Sequence, residues 1–110
     1  MKMNKSLRNS MMYFALIGQA SLSYASEYIK VRVHTEVSNA AAIGFRAAGA
    51  EQGGLGRTYS GWGPKNEQYQ FGYREDHAFG RNVDCGSLYL TVNQAVTLIK
   101  DGEHCIAMAD

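Results

Sequence analysis

Hydrophobic and polar residues alternate along much of the chain with a period of two, which is typical of β-strands that bury one face. Residues 29–37 give the clearest case. One set of alternate positions there is almost entirely β-branched and apolar, and the other is charged or basic: Ile29, Val31, Val33, Thr35 and Val37 against Lys30, Arg32, His34 and Glu36. We predict a half-buried strand with His34 on its solvent side.

The same period predicts further strands. Residues 67–74 place three aromatic side chains on one face, where we expect them to fill the core: Tyr69, Phe71 and Tyr73. Residues 40–48 are ambiguous because alanine favours a helix while alternation favours a strand, and we predict a strand. Shorter strands are predicted at residues 57–60, 87–92 and 95–100.

Turn-forming residues separate these segments. We interpret the glycine-rich residues 49–56 as a loop, residues 61–66 as a turn around Trp62, and residues 75–86 as a long loop. Asp101-Gly102 between two apolar runs predicts a closing type I′ hairpin. About six to seven short strands without a long helix predict an all-β fold, a small antiparallel β-sandwich or partly open barrel.

The N-terminal segment has the pattern of a secretory signal peptide. Lys2, Lys5 and Arg8 precede a short apolar run that ends at Ser23-Tyr24-Ala25. We therefore predict a signal peptide at residues 1–25, a single β-rich domain at residues 26–110, and a periplasmic or secreted location. An uncleaved anchor is the alternative, although the run is too short for a membrane span.

Cleavage would change the charge of the chain. The full sequence has a formal net charge of +1. Without its three N-terminal cations the remaining chain is slightly acidic, and its Lys and Arg residues are scattered. This distribution argues against a nucleic-acid partner.

The two cysteines, Cys85 and Cys105, are expected to form a disulfide in an exported protein. The alternative is that one of them is a nucleophile, assisted by a histidine base and an aspartate that orients it: His77 or His104, and Asp76 or Asp84. The disulfide is favoured because an oxidising compartment would consume a reactive thiol.

Aromatic and basic residues in the middle of the chain are the best candidates for binding. Trp62 stands in a Gly-Trp-Gly-Pro sequence where neither neighbour covers its ring, so the ring is either exposed or packed under the loop. Large flat rings and nearby cations are frequent in contact surfaces. We predict that a partner or ligand contacts Tyr59, Trp62, Lys65 and Arg74.

No motif in the sequence indicates a reaction, a metal site or a cofactor. The three histidines lack metal-ligand spacing. Two acidic pairs, Glu75-Asp76 and Asp101-Glu103, lie in predicted turns. The leading hypothesis is a non-enzymatic module of the bacterial envelope or exterior that binds another protein. The alternative is a carbohydrate-binding sandwich that uses exposed aromatics.

Overall fold

The computed structural model describes residues 27–76 and 80–110. The predicted signal peptide and His77 lie outside these residues. Eight strands follow one another along the chain: β1 (Tyr28–Thr35), β2 (Ala40–Ala47), β3 (Ala50–Leu55), β4 (Thr58–Pro64), β5 (Glu67–Glu75), β6 (Asn82–Leu90), β7 (Gln94–Asp101) and β8 (His104–Ala109).

The strands form two four-stranded sheets that pack together as a small β-sandwich, which confirms the predicted fold class. The first sheet has the order β4-β1-β7-β8 and the second the order β3-β2-β5-β6. Every neighbouring pair is antiparallel except β1 and β7. Between β1 and β7 the chain forms β2 and β3 of the second sheet, β4 at the edge of the first sheet, and β5 and β6 of the second sheet. Parallel neighbours require such a long connection.

The core lies between the sheets and consists of the inward positions of the alternating strands. Tyr69, Phe71 and Tyr73 are buried, as predicted. The Phe45 ring packs at 5.4 Å from Tyr69 and 6.1 Å from Phe71, measured between centroids. The buried hydrophobic set includes Ile29, Val31, Val33, Ile43, Phe45, Leu90, Val96 and Leu98. Burial of these side chains drives the sheets together.

The hairpins differ from the sequence predictions. Within the glycine-rich segment, residues 50–55 form strand β3 rather than a loop, because the chain has already turned at Ala48 and Gly49, with φ of 52° and 81°. Positive φ at both central residues is the geometry of a type I′ turn. The predicted type I′ turn at residues 101–102 is wrong. Asp101 pairs with His104, so Gly102 is the first central residue, and only Gly102 has positive φ, as in a type II′ turn.

Two other predicted loops are partly strand. Trp62 lies within β4, because the chain turns only after Pro64. Strand β6 begins at Asn82, well inside the predicted long loop. Its register against β5 shifts between Gln70 and Gly72, where Cys85 and the positive-φ Gly86 form a bulge. The bulge bends the strand locally and interrupts the plain alternation on which the prediction rested.

Cys85 and Cys105 form the predicted disulfide, with Cα atoms 4.4 Å apart. Cys85 belongs to β6 and Cys105 to β8, so the bond joins an edge strand of each sheet. A disulfide fits an oxidising, non-cytoplasmic location. At the other margin, β3 and β4 are contiguous in the chain, and the Gln52 amide donates to the Trp62 carbonyl at 2.6 Å.

Candidate functional site

Trp62 is exposed on the outer surface of the first sheet, which we call the Trp62 face. Its side chain is 60% exposed because it points away from the core on edge strand β4. Trp62 lies directly opposite Lys30 on β1, and Tyr28, two residues before Lys30, is also exposed. At this end the Trp62 face therefore carries two exposed aromatic rings, Trp62 and Tyr28, beside the Lys30 cation.

Tyr59 lies on the other side of the same strand. It is half-buried between the sheets, with its ring centroid 5.8 Å from that of Phe45. Its hydroxyl donates to Gln52 Oε1 at 3.0 Å. Because Tyr59 is three residues from Trp62 in an extended strand, the two rings point to opposite sides and form no common platform.

The predicted cations occupy two further places. Lys65 is exposed in the turn after β4, where its backbone N–H donates to the Glu27 carbonyl at 2.7 Å. Arg74 is exposed on β5, on the outer surface of the second sheet. The structure thus separates Arg74 from Trp62 by the thickness of the sandwich. A binding role for each of the four residues stays a prediction.

An apolar cluster at the other side of the Trp62 face was missed by sequence reasoning. Ile99 on β7 is paired with Ile106 on β8, and Met108 follows two residues later on the same side of β8. All three are 44 to 53% exposed. The available signal was Cys105: because it bonds inward to Cys85, its neighbours at even positions must point outward.

Two cations separate the aromatic rings from this cluster. Lys30 and Arg32 are exposed at alternate positions of β1, which lies between β4 and β7. Within the described part of the chain neither side chain makes an ion pair. Arg46 and Arg81, in contrast, pair with Glu51 at 2.8 Å and Glu75 at 3.4 Å.

His34 continues this row along β1, and both of its ring nitrogens are engaged. Nδ1 lies 2.7 Å from Thr58 Oγ1, and Nε2 forms a short hydrogen bond with the Glu36 carboxylate. The hydrogen bond and the charge of His34 lower the pKa of the Glu36 carboxyl below its ordinary value. The order hydroxyl, imidazole, carboxylate resembles a nucleophile with its base. Glu36 is 83% exposed, so this arrangement is open to water. The two hydrogen bonds hold the His34 ring in one orientation on the surface.

The outer surface of the second sheet carries an open trough of about 670 Å³. Its floor is a row of glycines in register on three strands, Gly53, Gly44 and Gly72. A Cβ on Gly44 would lie 2.9 Å from the Gly53 Cα, closer than real Cβ atoms come. The strands therefore need these glycines in order to approach one another, which explains the glycine-rich sequence without a ligand.

The cysteine alternative is contradicted, because both cysteines are bonded and none is free in the described residues. Among residues 27–76 and 80–110, no group of three or more His, Cys, Asp or Glu side chains could hold a metal ion. The same ranges contain no helix long and apolar enough to cross a membrane.

The geometry thus brings Trp62 together with Tyr28, Lys30 and Arg32, and continues through β7 to the Ile99–Ile106 pair. Comparison with known proteins adds no relative to this description. No protein-family model, curated protein or solved structure matches the chain.

Proposed function

We propose that this chain is a non-enzymatic protein-interaction module that binds its partner through the Trp62 face. The observation that carries the proposal is the distribution of exposed apolar side chains. Of the eight large hydrophobic side chains exposed in the described residues, five lie on this one face: Tyr28, Trp62, Ile99, Ile106 and Met108. The five side chains form two groups, Tyr28 with Trp62 and Ile99 with Ile106 and Met108. Exposed apolar patches bordered by polar residues mark interaction sites in folded proteins.

The composition of the face favours a protein partner over a carbohydrate. Aromatic residues, Met and Arg are enriched in protein interfaces, and Ile99 and Ile106 add aliphatic surface. A stacking platform for sugars would need several exposed flat rings. Of the aromatics predicted for such a platform, Tyr69 is buried and Tyr59 packs against Phe45. Two exposed rings, Trp62 and Tyr28, remain at one end of the face. Carbohydrate binding remains the alternative prediction.

The proposal includes export. The disulfide supports an oxidising compartment, and the basic and apolar pattern of residues 1–25 supports a cleaved signal peptide. We therefore place the module in the bacterial periplasm or outside the cell. An envelope or extracellular protein is the partner that such a location makes available.

The test is crosslinking in the native cells, followed by mass spectrometry of the products. Ile106→Ser should lose the crosslinked partner, because it puts a polar group in the centre of the apolar cluster. Leu55→Ser is the matched control, since Leu55 is 89% exposed but lies on the second sheet. Retention of the same partner by Ile106→Ser and by Trp62→Ala would refute the proposed surface.

A further inference from the structure

Lys30 and Arg32 restrict the chemistry of a partner that can bind to the Trp62 face. Strand β1 lies inside the first sheet. Trp62 on β4 lies beside Lys30 near the start of β1, and the Ile99–Ile106 pair on β7 and β8 lies on the other side of β1, one residue beyond the Thr35–Leu98 pair at its end. A partner that covers both apolar groups must therefore cover β1 as well. Binding would then remove the Lys30 and Arg32 side chains from contact with water.

Covered cations need partners. Transfer of an unpaired ammonium or guanidinium group out of water is costly unless a counter-charge and hydrogen-bond acceptors are supplied. Neither Lys30 nor Arg32 has a carboxylate partner among the described residues. His34, the next outward position, is already held by Thr58 and Glu36. Lys30 and Arg32 therefore each need a counter-charge, and the partner must supply both.

Resting on the proposed function, we infer that the Trp62 face receives an extended, acidic segment of a partner protein. Alternate residues of an extended chain repeat about every 6.6 to 6.8 Å, which is also the repeat of Lys30 and Arg32 along β1. One extended segment lying over β1 would place carboxylates from alternate residues on both cations. The side chains between them would point away from the sheet. Parts of the partner on either side of this segment would cover Trp62 and the Ile99–Ile106 pair.

The inference is tested with the purified, disulfide-bonded protein and defined probes. The probes are a short peptide in which Glu and Val alternate, the matching Lys and Val peptide, and polygalacturonate, an acidic glycan. Trp62 is the single tryptophan of the chain, so its fluorescence reports binding at this face. We expect a saturable change with the Glu and Val peptide at low salt and none with the Lys and Val peptide.

Charge variants localise the effect. The double variant Lys30→Gln/Arg32→Gln should weaken binding by at least roughly twofold to thirtyfold. That range is expected for two exposed ion pairs, and pairs covered by the peptide are screened less. The single variant Arg32→Gln should show a smaller loss in the same direction. Its control is Arg46→Gln, which removes one cation from the other outer surface and should bind like the wild type. Equal weakening in Arg46→Gln, or no binding of the Glu and Val peptide, would overturn the inference.

The remaining outcomes separate this inference from the proposed function. Tighter binding of polygalacturonate than of the peptide would overturn the protein assignment in favour of an acidic glycan. If the partner crosslinked in cells depends on Ile106 but is captured unchanged by Lys30→Gln/Arg32→Gln, the Trp62 face stands as a docking surface and the acidic segment is wrong.

Discussion

The Tyr69 hydroxyl donates a hydrogen bond to the Pro64 carbonyl oxygen, at 2.7 Å, from one sheet of the sandwich to the other. Tyr69 is fully buried, and a Cβ on the neighbouring Gly63 would collide with its hydroxyl. The Gly-Trp-Gly-Pro sequence therefore serves two purposes. Gly63 faces inward and leaves room for the Tyr69 hydroxyl, whereas Trp62 faces outward.

Loss of this hydrogen bond should weaken the fold. We expect Tyr69→Phe to lower the free energy of unfolding by about 1 kcal/mol, because it removes a partly buried hydrogen bond and leaves the ring in place. Chemical denaturation measures the change. Tyr28→Phe is the control, since Tyr28 is half exposed. A loss no larger than that of the control would show that the bond contributes little.

Burial of Tyr69 also predicts an alkaline transition. Burial raises the pKa of the Tyr69 hydroxyl from 10.0 to about 12. A raised pKa contributes stability that is complete below pH 10 and is lost as the pH rises towards 12, where the unfolded chain ionises first. Unfolding midpoints across this range should fall more steeply for the wild type than for Tyr69→Phe. Identical slopes would contradict the raised pKa of Tyr69. Burial also raises the pKa of Tyr73, and this residue contributes to the curves of both proteins.

The disulfide should account for a large part of the stability. We expect Cys85→Ser/Cys105→Ser to lose roughly 2 to 5 kcal/mol, because the bond restricts the unfolded chain and joins the two sheets. The measurement is the denaturation midpoint of the double variant against the oxidised wild type. An unchanged midpoint would show that the packing between the sheets suffices without the bond.

The β2–β3 turn offers a stabilising substitution. Ala48 has a φ of 52°, a conformation that costs a residue with a Cβ about 1 to 2 kcal/mol relative to its preferred region. Asn tolerates this region, and Asn-Gly is the preferred type I′ pair. Ala48→Asn should therefore raise the thermal midpoint, whereas Ala50→Asn, in the adjoining strand, should not. A lower midpoint for Ala48→Asn would contradict the turn geometry.

The interaction between His34 and Glu36 can be measured by titration. Because His34 lowers the pKa of the Glu36 carboxyl, His34→Ala should raise that pKa towards its ordinary value. The lowered pKa contributes stability above the ordinary value of 4.5, and this contribution is lost as the pH falls through the folded-state pKa. Carboxyl NMR shifts of Glu36 in the wild type and the variant decide the point. Equal pKa values in both would mean that the hydrogen bond does not persist in solution.

Hydrophobic alternation was a reliable guide where a strand has one wet and one buried face. Strands β1 and β5 follow it, and the core positions Tyr69, Phe71 and Tyr73 were predicted from it. It failed in β3, because glycines that allow close strand approach have the composition of a loop. It could not reveal the parallel pairing of β1 and β7, which depends on contacts between residues far apart in the chain.

The candidate site was predicted only in part, because it depends on strand pairing as well as on alternation along the chain. Exposure of Trp62 was one of two outcomes allowed by its glycine neighbours, and the structure has it exposed. The proximity of Trp62 to Lys30 depends on the pairing of β4 with β1, which a linear pattern does not specify. Ile106 stands in an apolar run, and its outward direction follows from the inward direction of Cys105.

The two sheets are joined at both margins of the sandwich, and this limits the access of other protein chains to the sheet edges. Unpaired edges of open sheets are templates for strand addition and for aggregation. Here β6 lies beside β8 through the disulfide, and β3 lies beside β4 through the Gln52 contacts. Each exposed edge therefore has a neighbour from the other sheet, which hinders the addition of a further strand. Reduction of the disulfide should expose one edge and make the protein prone to self-association.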